Sequence, residues 1–425
     1  MLLKQTEEYL NTTKLKDRKS KGQYFTPKQI KDKSLDGIQI ENDMLILENS
    51  CGTGEFIHSI LKLNPNVHID AYDIDQPLID LVESTFPCVR ASCEDWLLSS
   101  DNTKYDKIIG NPPYYEMSKA IAKKKGYERF AAYSKSKPNI YSFFIIKSIE
   151  SLKEGGELIY VVPTSMNNGH AFLPMRKFII EKCNIEAIDI FSDSDFEDAL
   201  QNTMTIRLTR LRQGQQNNGK FIFKKDSILI FSDAVDSIKE LFKGKFSLKE
   251  LGFEVKTGNY VWNQNKNFMS FDVSDTILLW ACNIEKNRLK LYPENSGDNL
   301  KLGLICGPYE EGYEKSSREQ KAQHVSGCAD KRKPLKERSI IVNRVTGCGV
   351  RAQIRAALVD INQPYYTENH INCITETKET KMTLTELHRK LISQETSQIL
   401  RHISGNTQLS KKELLNLIPI SLDKT

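Results

Sequence analysis

Residues 105–110 read Tyr-Asp-Lys-Ile-Ile-Gly, and the chain then continues Asn111-Pro112-Pro113-Tyr114. Ile108 and Ile109 are β-branched and apolar, as a buried strand requires, and Gly110 closes the run. Two consecutive prolines remove two backbone donors and fix two φ angles, so neither a helix nor a sheet ladder passes through them. A strand must therefore end here and leave an amide side chain, free carbonyls and an aromatic ring at its tip. An amide oxygen and a carbonyl oxygen can accept both protons of an NH₂ group, and a ring can lie against a planar molecule. A plain Pro-Pro turn after a strand accounts for the four residues equally well when they are taken alone.

The preceding chain repeats this design. Met44-Leu45-Ile46-Leu47 is a compact apolar run that ends in Glu48, and Asn49-Ser50-Cys51-Gly52-Thr53-Gly54 follows. Gly52 and Gly54 permit a tight turn and close backbone approach. Phe56, Ile57, Ile60 and Leu61 then recur at helical spacing. Residues 67–73 form a second strand ending in Asp73, a helix follows from Pro77, and a short strand at 88–91 leads to Glu94-Asp95-Trp96. Upstream, Thr26-Pro27 reads as the N-cap and first turn of a short helix. The order β-α-β-α-β-loop-β predicts an α/β, doubly wound sheet of Rossmann type. Ligands of such sheets bind outside the carboxyl ends of the strands, and Glu48, Asp73, Asp95 and Asn111 all fall there.

Further along, a helix is expected over 141–152 with Gly155-Gly156 capping it, then a strand at 157–162, a helix at 173–183 and a strand at 185–191. Residues 203–208 read as a strand antiparallel to its predecessor. Residues 213–220 are poor in apolar side chains and read as a linker, which divides the chain into 1–212 and 221–425. The second part reads as α+β, with one long helix expected from Thr383 to about Ile403 and a capping box at Ser410-x-x-Glu413. Residues 1–200 hold 25 basic and 30 acidic residues, a net of −5, whereas residues 201–425 hold 35 and 25, a net of +10. A basic second half points to a polyanionic partner, nucleic acid first. Nine cysteines without a Cys-x-x-Cys, and histidines without ligand spacing, suggest a reducing compartment and no metal. The polar start and the lack of long apolar runs predict a cytoplasmic chain that is neither secreted nor membrane-spanning.

Taken together, Gly-Gln-Tyr-Phe-Thr-Pro at 22–27, Glu-x-x-Cys-Gly-Thr-Gly at 48–54, Asp-Ile-Asp at 73–75, Asp-Trp-Leu-Leu at 95–98 and Asn-Pro-Pro-Tyr at 111–114 resemble the gamma-class N6-adenine DNA methyltransferases of bacterial and viral restriction–modification systems. The resemblance is strong over the first half. The second half resembles their target-recognition domains in size, charge and loop character. It implies S-adenosylmethionine as cofactor, held by Thr26, Glu48, Gly52, Gly54, Asp73, Asp95 and Trp96. Asp73 would take the ribose hydroxyls and Asp95 the adenine amino group. It further implies double-stranded DNA as substrate, a separate cognate restriction endonuclease as a possible partner, and a monomer on DNA. The Asn111 side chain and the Pro112 carbonyl would accept from N6 of a flipped-out adenine. Tyr114 would stack on one face of that base and Phe196 on the other.

Asn-Pro-Pro-Tyr also occurs in methyltransferases that modify RNA or a protein glutamine, and a catalytically silent DNA-specificity protein would keep the same fold. The Thr-Pro motif ahead of the glycine loop and the basic second half favour the DNA enzyme. Lysines at 119–137 and 331–338 are candidate phosphate contacts, and residues 256–268 and 343–355 are candidate base readers.

Overall fold

The computed structural model describes the chain except residues 1, 15, 17, 19–21, 24, 192–202, 227, 271, 273, 292–323, 329–331, 347–352, 404–407 and 423–425 and the side chains of 399 and 401–403. Phe196 and Lys331 therefore lie outside the described residues. The chain forms two compact units, Met1–Lys224 with Leu229–Val235, and Lys225–Ile228 with Asp236–Thr425.

The first unit is built on seven strands: β1 (Leu45–Glu48), β2 (His68–Asp73), β3 (Arg90–Cys93), β4 (Tyr105–Gly110), β5 (Leu152–Pro163), β6 (Cys183–Ile190) and β7 (Thr203–Arg210), in spatial order β3-β2-β1-β4-β5-β7-β6. The first five are parallel, and β7 runs antiparallel to both β5 and β6. Successive apolar residues point to opposite faces, so each strand serves two cores. Leu47, Ile108, Leu158 and Ile206 face a core with α7 (Tyr141–Ser151) and α8 (Leu173–Lys182). Ile46, Ile109, Ile159 and Val161 face a second core with α2 (Lys28–Ser34), α3 (Glu55–Leu63) and α4 (Gln76–Thr85). Further α-helices among the described residues are α1 (Lys4–Thr12) and the short α5 (Lys119–Lys124) and α6 (Glu128–Ala131). The strand order reverses between β1 and β4, which sets Glu48 and Asn111 on either side of the crevice where such sheets bind ligands.

Several expectations need correction. Gly155 and Gly156 do not cap a helix. They lie within β5, which begins at Leu152, and the pairing with β4 shifts register between Tyr105 and Lys107. Gly155 has φ +78°, and a Cβ on Gly156 would stand 3.0 Å from three carbonyl oxygens, of Tyr105, Asp106 and Lys153. The pair makes a bulge, and only glycine fits it. Thr26 is not an N-cap, because Pro27 holds that position and α2 starts at Lys28. The polar stretch 213–220 is no break between units. The Asn217 amide donates to the Cys183 carbonyl and the Asn218 N–H donates to Asn184, which ties the stretch to β6.

The second unit contains a four-stranded antiparallel sheet in the order Phe253–Thr257, Ile371–Glu376, Ser339–Asn343, Ala356–Val359. Leu384, Leu387, Leu391, Leu400 and Leu414 pack against it from three helices. The long helix expected from Thr383 is two, Leu384–Leu391 and Gln394–Ile403, because Ser393 accepts from the Thr396 N–H and opens a new helix. The capping box at Ser410 and Glu413 is present, and Thr383 with Glu386 forms another.

Because the Gly156 site is closed by backbone oxygens, Gly156→Ala is expected to cost about 1–3 kcal/mol of unfolding free energy in urea. Gly219→Ala, with nothing within 4 Å but φ +73°, should cost about 1 kcal/mol, from backbone strain alone.

Candidate active site

A cavity of about 230 Å³ opens at the carboxyl ends of β1, β2 and β4, lined by residues 22, 23, 25, 26, 48–53, 55, 56, 73, 74, 94–96, 111, 113, 115, 125, 127, 140 and 144. Of the residues singled out from sequence, Thr26, Glu48, Gly52, Asp73, Asp95, Trp96 and Asn111 line it. Pro112 and Tyr114 do not, although their neighbours Pro113 and Tyr115 do.

Asp73 organises the glycine loop. One carboxylate oxygen accepts from the Gly52 N–H at 2.9 Å and the other from the Asp75 N–H at 3.0 Å. The Cys51 N–H bonds to the Tyr72 carbonyl at 2.9 Å, so the loop is pinned to the end of β2. Gly52 has φ +53° and lines the cavity. Gly54 does not line it. With φ +84°, and a Cβ that would come 2.6 Å from the Phe86 ring, Gly54 is needed for packing at the start of α3. On the other side of the loop the Ser50 hydroxyl donates to the Asn111 carbonyl at 3.3 Å, joining the glycine loop to the Asn-Pro-Pro-Tyr turn.

Glu48 is 2 % exposed. The Ile57 N–H in the first turn of α3 bonds to its carboxylate, but Oε2 is buried without a hydrogen-bond partner. Burial pushes its carboxyl well above the usual range, against the bond from Ile57 and the Lys31 charge. Asp73 is raised for the same reason, its two backbone bonds opposing burial. Cys51 beside them is a buried thiol pushed up by burial and by Asp73 and Glu48, which makes it a packing group and a poor nucleophile.

Asp95 accepts from the Leu97 N–H at 3.1 Å and from the Tyr127 hydroxyl. Trp96 is buried and stacks with Phe144, with ring centroids 6.0 Å apart. Behind this turn Lys147 donates to the carbonyls of Trp96 and Ser99 and lies 4.6 Å over the Trp96 ring. Burial brings its ammonium down to about 8.

At the strand tip the Tyr114 hydroxyl faces two acceptors, the Asn111 side-chain oxygen and the Val161 carbonyl at 2.7 Å. Its ring stands perpendicular to Tyr141, with centroids 6.1 Å apart. Gly22, at φ +69°, lets the N-terminal segment pack on residues 113–115, since a Cβ there would lie 2.9 Å from Tyr115 and 3.1 Å from the Tyr114 nitrogen.

The sequence reading missed Tyr115, Tyr127, Ile74 and Lys147. Tyr127 and Lys147 reach the site from segments with no local motif. Ile74, exposed although apolar, follows the acid of β2 and was the one legible signal. The role of the first residues was also missed. The Leu3 N–H and the Thr6 hydroxyl donate to Glu55 at 2.7 and 2.8 Å, and Lys31 pairs with its other oxygen in a buried ion pair. Among the described residues no group of three or more His, Cys, Asp or Glu could hold a metal ion, and no helix is long and apolar enough to cross a membrane.

An acid with a raised folded pKa contributes stability below the unfolded value of about 4.5 and loses it as pH rises through the folded value. Glu48→Gln is therefore expected to raise the melting temperature of the ligand-free protein, by more at pH 8 than at pH 5. A uniformly lower melting temperature across that range would contradict this account of Glu48.

Residues 9–196 match the Eco57I restriction-modification methylase family. The chain is 29% identical over 297 residues to the modification methylase CviBIII of Paramecium bursaria Chlorella virus NC1A, covering 68% of this chain and 71% of that one. It is 34% identical over 192 residues to the type II methyltransferase M.HincII of Haemophilus influenzae, covering 44% of this chain and 36% of that one. The type IIG restriction endonuclease BpuSI aligns in structure over 96% of this chain and 60% of its own, at 13% identity and a TM-score of 0.43. At that score the architecture rests on the strand order itself. S-adenosylmethionine carries an ammonium, ribose hydroxyls and an aminopurine, and the cavity presents their complements: the unpartnered Glu48 oxygen, two further acids at strand ends, and the walls of Trp96, Ile74 and Phe144. Over residues 9–196 the chain is thus similar to the restriction-modification methylases, and the groups that line the cavity fit S-adenosylmethionine as cofactor.

Proposed function

We propose that the chain methylates N6 of an adenine flipped out of duplex DNA at a specific sequence, as the modification enzyme of a restriction–modification system. The observation that carries this reading is that one cavity reaches from Gly52 and Asp73 to Asn111. A donor held by the first two residues and an acceptor held by the third share a single space.

In this reading Asp73 accepts from the ribose hydroxyls of the cofactor and Asp95 from its adenine amino group. Glu48 faces the ammonium, and Thr26 lies near the carboxylate. Bound there, S-adenosylmethionine supplies a methyl carbon on a cationic sulfur. The N6 lone pair of adenine is delocalised into the ring and attacks poorly. The Asn111 oxygen and the Pro112 carbonyl accept hydrogen bonds from the two N6–H groups, draw the nitrogen towards sp³ and return density to it. Positive charge then develops on N6 beside two fixed acceptors, where it is stabilised without reorganisation. Once N6 carries the methyl group, one of its protons is released to solvent. A base in a duplex cannot reach such a turn, so it must leave the stack.

Tyr114 serves as one stacking plate, and Phe196 is proposed as the other from its place ahead of β7. The basic second half supplies the DNA contacts, and a separate nuclease would cut the unmodified site.

The test is methylation of plasmid DNA followed by sequencing that detects modified adenines. N6-methyladenine at one recurring sequence is the expected product. Methyl transfer to RNA or to a protein glutamine, with none to DNA, would replace this reading. Asn111→Ala is expected to lower the rate by about 100-fold or more, with cofactor affinity changed little in a titration. Tyr114→Ala should weaken productive binding by about 1–3 kcal/mol, whereas Tyr114→Phe, which keeps the ring, should stay near wild type. Glu48→Gln should lower cofactor affinity about tenfold, a charge-assisted hydrogen bond being lost.

A further inference from the structure

In the four-stranded sheet of the second unit, Asn343 pairs with Ile371 and Val342 pairs with Ala356. The residues just beyond these pairs, at the same end of three neighbouring strands, are His370, Arg344 and Arg355. Arg344 stands opposite His370, and Arg355 stands opposite Asn343, one position inward on the next strand. With strands about 4.8 Å apart, the three span about 10 Å of the sheet end. The Arg355 guanidinium turns back to Val345 beside Arg344.

Each is built in. The Arg344 N–H bonds to the His370 carbonyl at 3.1 Å, and its guanidinium donates to the Asn369 carbonyl at 3.0 Å while its Nε is buried without a partner. Arg355 is exposed, and its guanidinium reaches the Val345 carbonyl at 3.5 Å. Neither arginine pairs with a carboxylate among the described residues. The one acid of this turn, Glu368, is 1 % exposed. It accepts from the His370 N–H at 2.9 Å and bonds the ring Nδ1 at 2.7 Å, which leaves Nε2 as the outward nitrogen of a half-exposed side chain. Gly258 lets the turn sit close, because any Cβ there would be 2.0 Å from the Glu368 carbonyl oxygen. Strand-end cations held by backbone carbonyls, with the local acid turned inward, are not a charge-balanced solvated face.

We propose that the group His370–Arg344–Arg355 is a contact for the phosphates of duplex DNA. It rests on the reading of DNA as the substrate and adds where on the second unit the backbone is held. Carbonyl partners orient the guanidinium groups without neutralising them, so their charge is left for an anion. Orientation and register on the duplex come from such phosphate contacts, while the sequence is read elsewhere.

The test is the salt dependence of duplex binding by the full-length chain, read by fluorescence anisotropy with a labelled duplex between about 50 and 200 mM salt. Each phosphate contact contributes about 0.9 to the slope of log K against log salt. Arg344→Gln/Arg355→Gln is expected to flatten the slope by about 1.8, and Arg344→Lys/Arg355→Lys to restore most of it. Cofactor affinity should be unchanged in both. If the double glutamine variant fails to fold, Arg355→Gln alone carries the test, with an expected loss of about 0.9. An unchanged slope overturns the assignment while methylation of plasmid adenines keeps the proposed function standing. Tighter binding of a hairpin RNA than of duplex DNA overturns it also, and absence of duplex binding by the wild-type chain overturns both.

Discussion

Asp73 accepts two backbone N–H groups, one from the glycine loop after β1 and one from the turn that opens α4. The cavity depends on this carboxylate. A loop with two left-handed glycines gains much backbone freedom when unfolded, and something must hold it in one shape. Asp73 does so from the end of a buried parallel strand, where the sheet supplies rigidity at no further entropic cost. Because the loop is fixed, Ser50 can reach the Asn111 carbonyl, and the cofactor cradle and the strand tip become one rigid body. In the proposed reaction, pre-organisation of this kind would stand in for a strong base, because the acceptors would already lie where charge develops.

Glu48 shows the cost of such a site. A buried carboxylate with one oxygen unpartnered is unfavourable in the ligand-free protein. It persists beside a second buried acid, Glu55, which is instead satisfied by Lys31, Thr6 and the Leu3 N–H. The paired one holds α1, α2 and α3 together. Both line the cavity, and Glu48 does so with one oxygen left unpartnered.

The second unit uses different means. Its four-stranded sheet of 253–257, 371–376, 339–343 and 356–359 is antiparallel, and Arg344, Arg355 and His370 sit at its strand ends, beside a turn tightened by Gly258 and Glu368. Loops carry recognition because they can change without disturbing the core that displays them. That freedom is also why residues 256–268 and 343–355 could be marked from composition while no single base reader could be chosen.

Read by itself, the chain disclosed the order of its strands, the acids at their carboxyl ends, and the turn at Asn111. These are local facts: apolar runs, glycines and prolines act on the backbone within a few residues. The sequence placed the strand 157–162 but took Gly155-Gly156 for a cap, because a bulge is defined by its partner strand and not by its own residues. It named Asp73 and Asp95 but not Tyr127 or Lys147, which meet the site across 32 and 51 positions of chain. It marked the stretch 343–355 as a candidate base reader but not the meeting of Arg344 and Arg355 with His370 at one sheet end. Such meetings are set by sheet order and register, and only the packed tertiary structure decides which distant side chains share a wall.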